Sequence, residues 1–198
     1  MDSLECRRTE IEKVKDNIKC WMDSGFPREF LEFFFKWALL NLYYSKISNQ
    51  KCEVCRVLDF GKKYEDLFEC VKDHAFKLVN NECVGKGLEA APPSRWVKTA
   101  TLQLRRKLGI DTEHVCATCR SEKRRKCCEV KTEEYEFGRM EALMRILYQI
   151  RCNLFHGGKT EWGRGQMERN QSLVRIGNQI VTIILEKLLE VNGYVSVK

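Results

Sequence analysis

Arg151, Asn153 and His156, followed at once by Gly157, Gly158 and Lys159, set a permanent cation, an amide and a titratable base close together in the chain. Cleaving RNA without a metal requires these kinds of group. The ribose 2′-hydroxyl must be deprotonated, the extra negative charge at phosphorus stabilised and the leaving 5′-oxygen protonated. Histidine suits the proton transfers because its unperturbed pKa of about 6.5 lies near working pH. Arginine suits the phosphate because its planar fork donates two hydrogen bonds and keeps its charge. Asn153 would orient either the phosphate or the histidine ring.

Geometry limits this scheme. Arg151 and His156 are five residues apart. On an ideal helix that separation corresponds to about 140° around the axis. They converge only where the last turn unwinds, which the two glycines permit, or where a ligand spans both. One histidine does not readily serve as base and acid in a single step, and His74 and His114 fall elsewhere in the chain. A twofold dimer placing two motifs face to face would supply the second. The reading without chemistry is that Arg151 and His156 cap a helix C-terminus, where cations meet the negative end of the dipole.

Cysteines carry the second set of chemistry. There are eleven, and in an intracellular chain paired cysteines more often mean metal than disulfides. Cys52-x2-Cys55 and Cys116-x2-Cys119 each have the bite for two thiolates to hold one tetrahedral ion, and Cys127-Cys128 follow the second pair. Two assemblies are open. Cys116 and Cys119 could close a local knuckle with Cys127, Cys128 or His114, or the two Cys-x2-Cys pairs could meet across the fold. Either predicts structural zinc with four protein ligands and no open position; free thiols or disulfides are the alternative. Cys6, Cys20, Cys70, Cys83 and Cys152 read as small apolar residues.

The elements that must position these groups are helical. Leu4, Ile11, Val14, Ile18 and Trp21 recur at helical spacing over about 3–23, with Gly25 as a stop and Pro27 at the next start. From there to about Ile47 the chain is apolar around most of its circumference, which predicts a central helix packed on several sides. Residues 48–132 form a cysteine-rich elaboration with helical patterns at about 64–80 and 94–108, broken by Gly85, Gly87, Pro92 and Pro93. A long helix resumes from Glu133 through Met140, Leu143, Met144, Leu147 and Ile150 and ends on the glycine pair. Leu173, Ile176, Ile180, Ile183, Ile184 and Leu188 give a last core helix over about 167–191. The expectation is one all-α domain over 1–198, with core helices in about 3–47 and 133–191.

The balance of 35 basic against 28 acidic residues leaves +7, a modest excess that favours polyanions without demanding them. The bases cluster at Arg105, Arg106 and Lys107, at Lys123 to Lys126, and at Arg151, Lys159 and Arg164. Lys159, Arg164, Arg124 and Arg125 are accordingly the candidate RNA contacts, against the plainer reading of a solvated loop. No apolar run approaches the roughly 20 residues that span a bilayer. The first turn mixes acids and bases rather than presenting a signal peptide's apolar stretch, so a cytoplasmic chain is expected.

The string Tyr148-Gln-Ile-Arg-Cys-Asn-Leu-Phe-His-Gly-Gly-Lys159 resembles the HEPN superfamily, in the form found in Apea-like families, whose signature is Arg-x4-6-His with a polar residue soon after the arginine. The stretch Phe34-Phe-Lys-Trp-Ala-Leu-Leu-Asn-Leu-Tyr43 is similar to the first core helix of those families. The resemblance touches about 27–47 and 135–190 and leaves the middle uncovered. It implies a helical bundle and a homodimeric, metal-independent endoribonuclease leaving 2′,3′-cyclic phosphate ends. Arg151 and His156 would be its catalytic pair, with Asn153 in support. A defence or toxin–antitoxin setting, with an antitoxin or nucleotidyltransferase partner, also follows from the resemblance. Cys152 departs from the pattern, since Asn, Asp or His often follows the arginine. The competing reading is a HEPN-type module that binds RNA or protein without cutting.

Overall fold

The computed structural model describes residues 28–81, 95–110, 137–156 and 164–191. Among the described residues, six α-helices run in the order α1 (Arg28–Ile47), α2 (Glu53–Lys63), α3 (Phe68–Asn80), α4 (Arg95–Lys107), α5 (Arg139–His156) and α6 (Arg164–Val191). A single 3-10 turn, Glu65–Leu67, joins α2 to α3. No strand occurs among the described residues, so the fold is all-α.

Burial makes α5 the central element. Met140, Ala142, Leu143, Met144, Ile146 and Leu147 are all fully buried. These residues occupy most of the helix circumference, as a helix enclosed by neighbours requires. Helices α2 and α4 flank α5, while α6 packs across α1 and α3. The expectation that the first aromatic helix is central is therefore corrected. Phe33, Trp37, Leu40 and Tyr44 of α1 face the core, but Phe35, Leu39 and Leu42 are 44%, 53% and 61% exposed. An apolar sequence on every side records which residues a helix carries, not how many neighbours it has.

Helix α2 answers to no element anticipated from the sequence. Its buried face is Val57, Phe60 and Gly61, at the spacing of an amphipathic helix. Together with Phe68, Val71, Ala75, Leu78, Val97, Ala100 and Leu104 it contributes to the same core cluster as α1, α5 and α6. The close crossing of α2 and α5 depends on Gly61. A β-carbon there would stand 2.7 Å from Glu141 Cα.

The start of α5 is fixed from outside the helix. Glu65 accepts the amide of Arg139 at 3.0 Å and that of Met140 at 2.9 Å. Glu141 reaches back to accept the Gly138 amide at 2.7 Å, as the third residue of a capping box does. Gly138 leaves room for this, since a β-carbon would sit 2.7 Å from Glu65 Oε2.

Candidate functional site

The last turns of α5 meet the N-terminus of α2 and the C-terminal half of α1. Ser48 Oγ donates to Asp59 and Arg56 Nη1 donates to Ser45 Oγ at 3.1 Å, so the end of α1 and the start of the α1–α2 connection are tied to α2. Cys52 is the N-cap residue, with extended backbone angles of φ −79° and ψ 128°. Glu53 follows in the first turn, where an acid is favoured by the helix dipole. An aromatic series runs beneath: Trp37 lies 6.2 Å from Tyr44 and 6.3 Å from Tyr148, measured between ring centroids.

Arg151 is held within this frame. Its Nη1 lies 3.7 Å from Glu53 Oε2. The other Glu53 oxygen accepts the Tyr44 hydroxyl at 2.8 Å. Tyr44, Glu53 and Arg151 thus form a chain from the core to the surface, with the two charged side chains 24% and 23% exposed respectively. Arg151 Nη1 also approaches Cys152 Sγ at 3.9 Å. Burial, reinforced by the hydrogen bond to Glu53, pushes the Tyr44 hydroxyl far above its ordinary range. Burial and a hydrogen bond with Cys152 push Tyr148 up to about 12. For Arg151 burial pulls the other way, but Cys152 and Glu53 outweigh it and the charged form is favoured.

A second arginine lies deeper. Arg145 is 5% exposed, with its guanidinium carbon 5.4 Å from the centre of the Tyr148 ring. Burial lowers its pKa, and Tyr148, Cys152, Cys52 and Cys55 act in the opposite direction.

The residues singled out from the sequence are partly brought together. Arg151 and Asn153 share α5, but positions two apart on a continuous helix are separated by about 200°. Asn153 accordingly accepts from Gln149 Nε2 at 2.7 Å instead of joining the Arg151 group. His156 is the last residue of α5. Its side chain lies outside the described residues, as do Lys159, Arg124, Arg125 and the side chain of Arg164, whose backbone opens α6. Cys116 and Cys119, which both zinc assemblies need, also lie outside them, together with Cys127, Cys128 and His114. Among the described residues, no group of three or more His, Cys, Asp or Glu side chains gathers to hold a metal. His74 lines a surface cavity of about 440 Å³ with Lys36, Arg175 and Asn178, whose walls include no residue of α5. Cys70, expected to act as a small apolar residue, is exposed.

Sequence reasoning missed Tyr44, Glu53, Arg145 and Tyr148 as members of this site. The Arg145 signal was present: a lone arginine inside the run Leu143-Met144-Arg145-Ile146-Leu147 sits on a helix buried around most of its circumference.

No family model, curated protein or solved structure matches the chain. Among the described residues, no helix is long and apolar enough to cross a membrane.

Proposed function

We propose that the chain is a HEPN-like, metal-independent endoribonuclease that works as a homodimer. The observation that carries this reading is the Tyr44–Glu53–Arg151 chain, which holds a partly exposed guanidinium on the helix that ends in His156. A guanidinium whose position is fixed by a neighbouring carboxylate is pre-organised for a phosphate. In the reaction, one His156 takes the proton of the ribose 2′-hydroxyl as that oxygen attacks phosphorus. The phosphorus–5′-oxygen bond breaks, and His156 of the second copy protonates the departing oxygen. A 2′,3′-cyclic phosphate and a 5′-hydroxyl result. The exposed Phe35, Leu39 and Leu42 of α1 offer apolar surface for such a dimer to bury. Lys159, Arg164, Arg124 and Arg125 would extend the phosphate contacts, and an antitoxin or nucleotidyltransferase is the class of regulator proposed. Any zinc bound through the cysteines would be structural.

A second reading draws on the same ion pair. Glu53 already engages Arg151, so a phosphate must compete with a carboxylate. This favours a module that binds RNA or protein without cutting. One experiment separates the two. Purified protein and its His156→Ala variant are incubated in chelator with a mixed-sequence RNA and a matched DNA, and the ends are mapped. Cleavage of RNA alone, leaving cyclic phosphate and lost in a folded variant, supports the nuclease. Salt-sensitive RNA binding by a folded dimer with no new ends supports the binding module.

A further inference from the structure

Away from the Arg151 group, α6 packs across α1 and α3 and leaves the surface cavity of about 440 Å³ between them. Glu29 and Lys36 of α1, His74 of α3, and Arg175, Asn178 and Ile183 of α6 are in its walls. Sites for small molecules commonly measure about 300–1,000 Å³. Charge is sorted along the α1 wall. Glu29 and Lys36 are seven positions apart, which on a helix sets them within about 20° of one line and about 10 Å apart along the axis. Glu32 lies between them, but Arg28 answers its charge at 3.1 Å. Among the described residues, Glu29, Lys36 and Arg175 enter no salt bridge.

Asn178 adds an independent observation. It is 8% exposed, and its Nδ2 donates to the Glu29 carbonyl at 2.8 Å. A backbone carbonyl only accepts, so this bond fixes which end of the side-chain amide is which and leaves Oδ1 as the acceptor. Among the described residues, Oδ1 has no hydrogen-bond partner. A buried carbonyl oxygen without a donor is destabilising. Where Glu29 and Asn178 meet, the wall therefore carries a carboxylate and an orphaned acceptor, and a cationic N–H donor suits both. Lys36, two turns along α1, and Arg175 of α6 suit an acid.

We propose that this cavity binds a short zwitterionic peptide, its ammonium at Glu29 and Asn178 and its carboxylate at Lys36 and Arg175. The spacing selects the length. An extended chain spans about 3.3–3.6 Å per residue, so about three residues cover the roughly 10 Å from Glu29 to Lys36. A single amino acid holds its two charges too close together to meet both. Ile183 gives small apolar side chains a surface to pack on. This goes beyond the proposed nuclease and does not depend on it.

The test is isothermal titration calorimetry of the full chain with trialanine, N-acetyl-trialanine, trialanine amide and alanine. Trialanine is expected to bind once per chain, and each of the other three roughly tenfold more weakly or worse. Glu29→Gln is expected to make trialanine and its acetylated form bind alike, since only the ammonium distinguishes them. Lys36→Gln is expected to make trialanine and its amide bind alike. The four titrations of the unaltered protein decide the matter even where a variant fails to fold. The proposal is overturned if the folded parent binds no trialanine at about 10 mM, or if a blocked peptide or alanine binds as tightly as trialanine. Folded variants that still tell the blocked peptides from the free one would also overturn it, by placing the binding elsewhere.

Discussion

Replacing Gly61 with alanine sets two effects of opposite sign against each other. In an isolated helix the change stabilises by about 1 kcal/mol, because glycine loses more backbone freedom on folding. Here the new methyl would meet Glu141 Cα at 2.7 Å, Glu141 N at 2.9 Å and the Met140 carbonyl carbon at 3.1 Å. Carbon atoms rest about 3.5–4.0 Å apart, so α2 and α5 must separate by about 1 Å. All three obstacles are backbone, and no rotamer change relieves them. Overpacking of this kind costs about 1–3 kcal/mol, and a rigid neighbour places it at the upper end. After the gain in helix propensity, the net loss is about 2 kcal/mol, or a fall of roughly 4–8 °C in Tm for a chain of this length. Urea unfolding followed by circular dichroism should give a lower midpoint at unchanged slope. A variant more stable than the parent would refute the reasoning, since that sign means the two helices do not cross closely at Gly61.

Three further expectations rest on named contacts. Glu53→Gln keeps an acceptor for the Tyr44 hydroxyl but loses the ion pair with Arg151, a cost of about 1 kcal/mol. Glu53→Ala also strands the buried phenol, for roughly 1–3 kcal/mol more; equal denaturation midpoints for the two variants would rule out the shared acceptor. Glu65→Ala removes the acceptor for the Arg139 and Met140 amides and is expected to cost about 1–2 kcal/mol in thermal melts, the range of a lost helix cap. Tyr148 binds its proton more tightly in the folded chain, with its pKa raised from 10.0 to about 12. The stability it contributes is complete below pH 10 and is lost as pH rises toward 12. Tyr148→Phe should flatten that alkaline fall in stability-versus-pH curves, and an unchanged curve would count against the partly buried phenol.

How much of this was legible in the sequence depended on whether the signal was local. The all-helical class, α3, α4 and the apolar stretch of α5 follow from periodicity, because each places enough apolar side chains on one face to show a helical repeat, while α1 follows from a run apolar around most of its circumference. Helix α2 is hard to see in the sequence because the metal-ligand spacing of Cys52 and Cys55 marks its start and Gly61 falls within its short apolar pattern. Its Val57, Phe60 and Tyr64 carry the helical spacing, but a glycine that serves a helix crossing looks in sequence like one that ends a helix. Glu53 was illegible for a different reason. Its partners Tyr44 and Arg151 come from two other helices, and only packing α2 between them joins the three. The separation of Arg151 from Asn153 follows from helix geometry alone, once α5 runs unbroken to His156.

The acid that caps α5 also bears on how this helix responds to solvent. First-turn amides of a helix ordinarily exchange their hydrogens with water quickly, because they have no partner within the helix. Those of Arg139 and Met140 are bound instead by Glu65, which lies 74 and 75 residues earlier in the chain. Their exchange therefore requires α5 to part from the turn that precedes α3, an opening of tertiary structure instead of local fraying. These two amides should behave in deuterium exchange like residues of the deep core. A fragment containing α5 alone should lose that protection first at the end nearest Gly138.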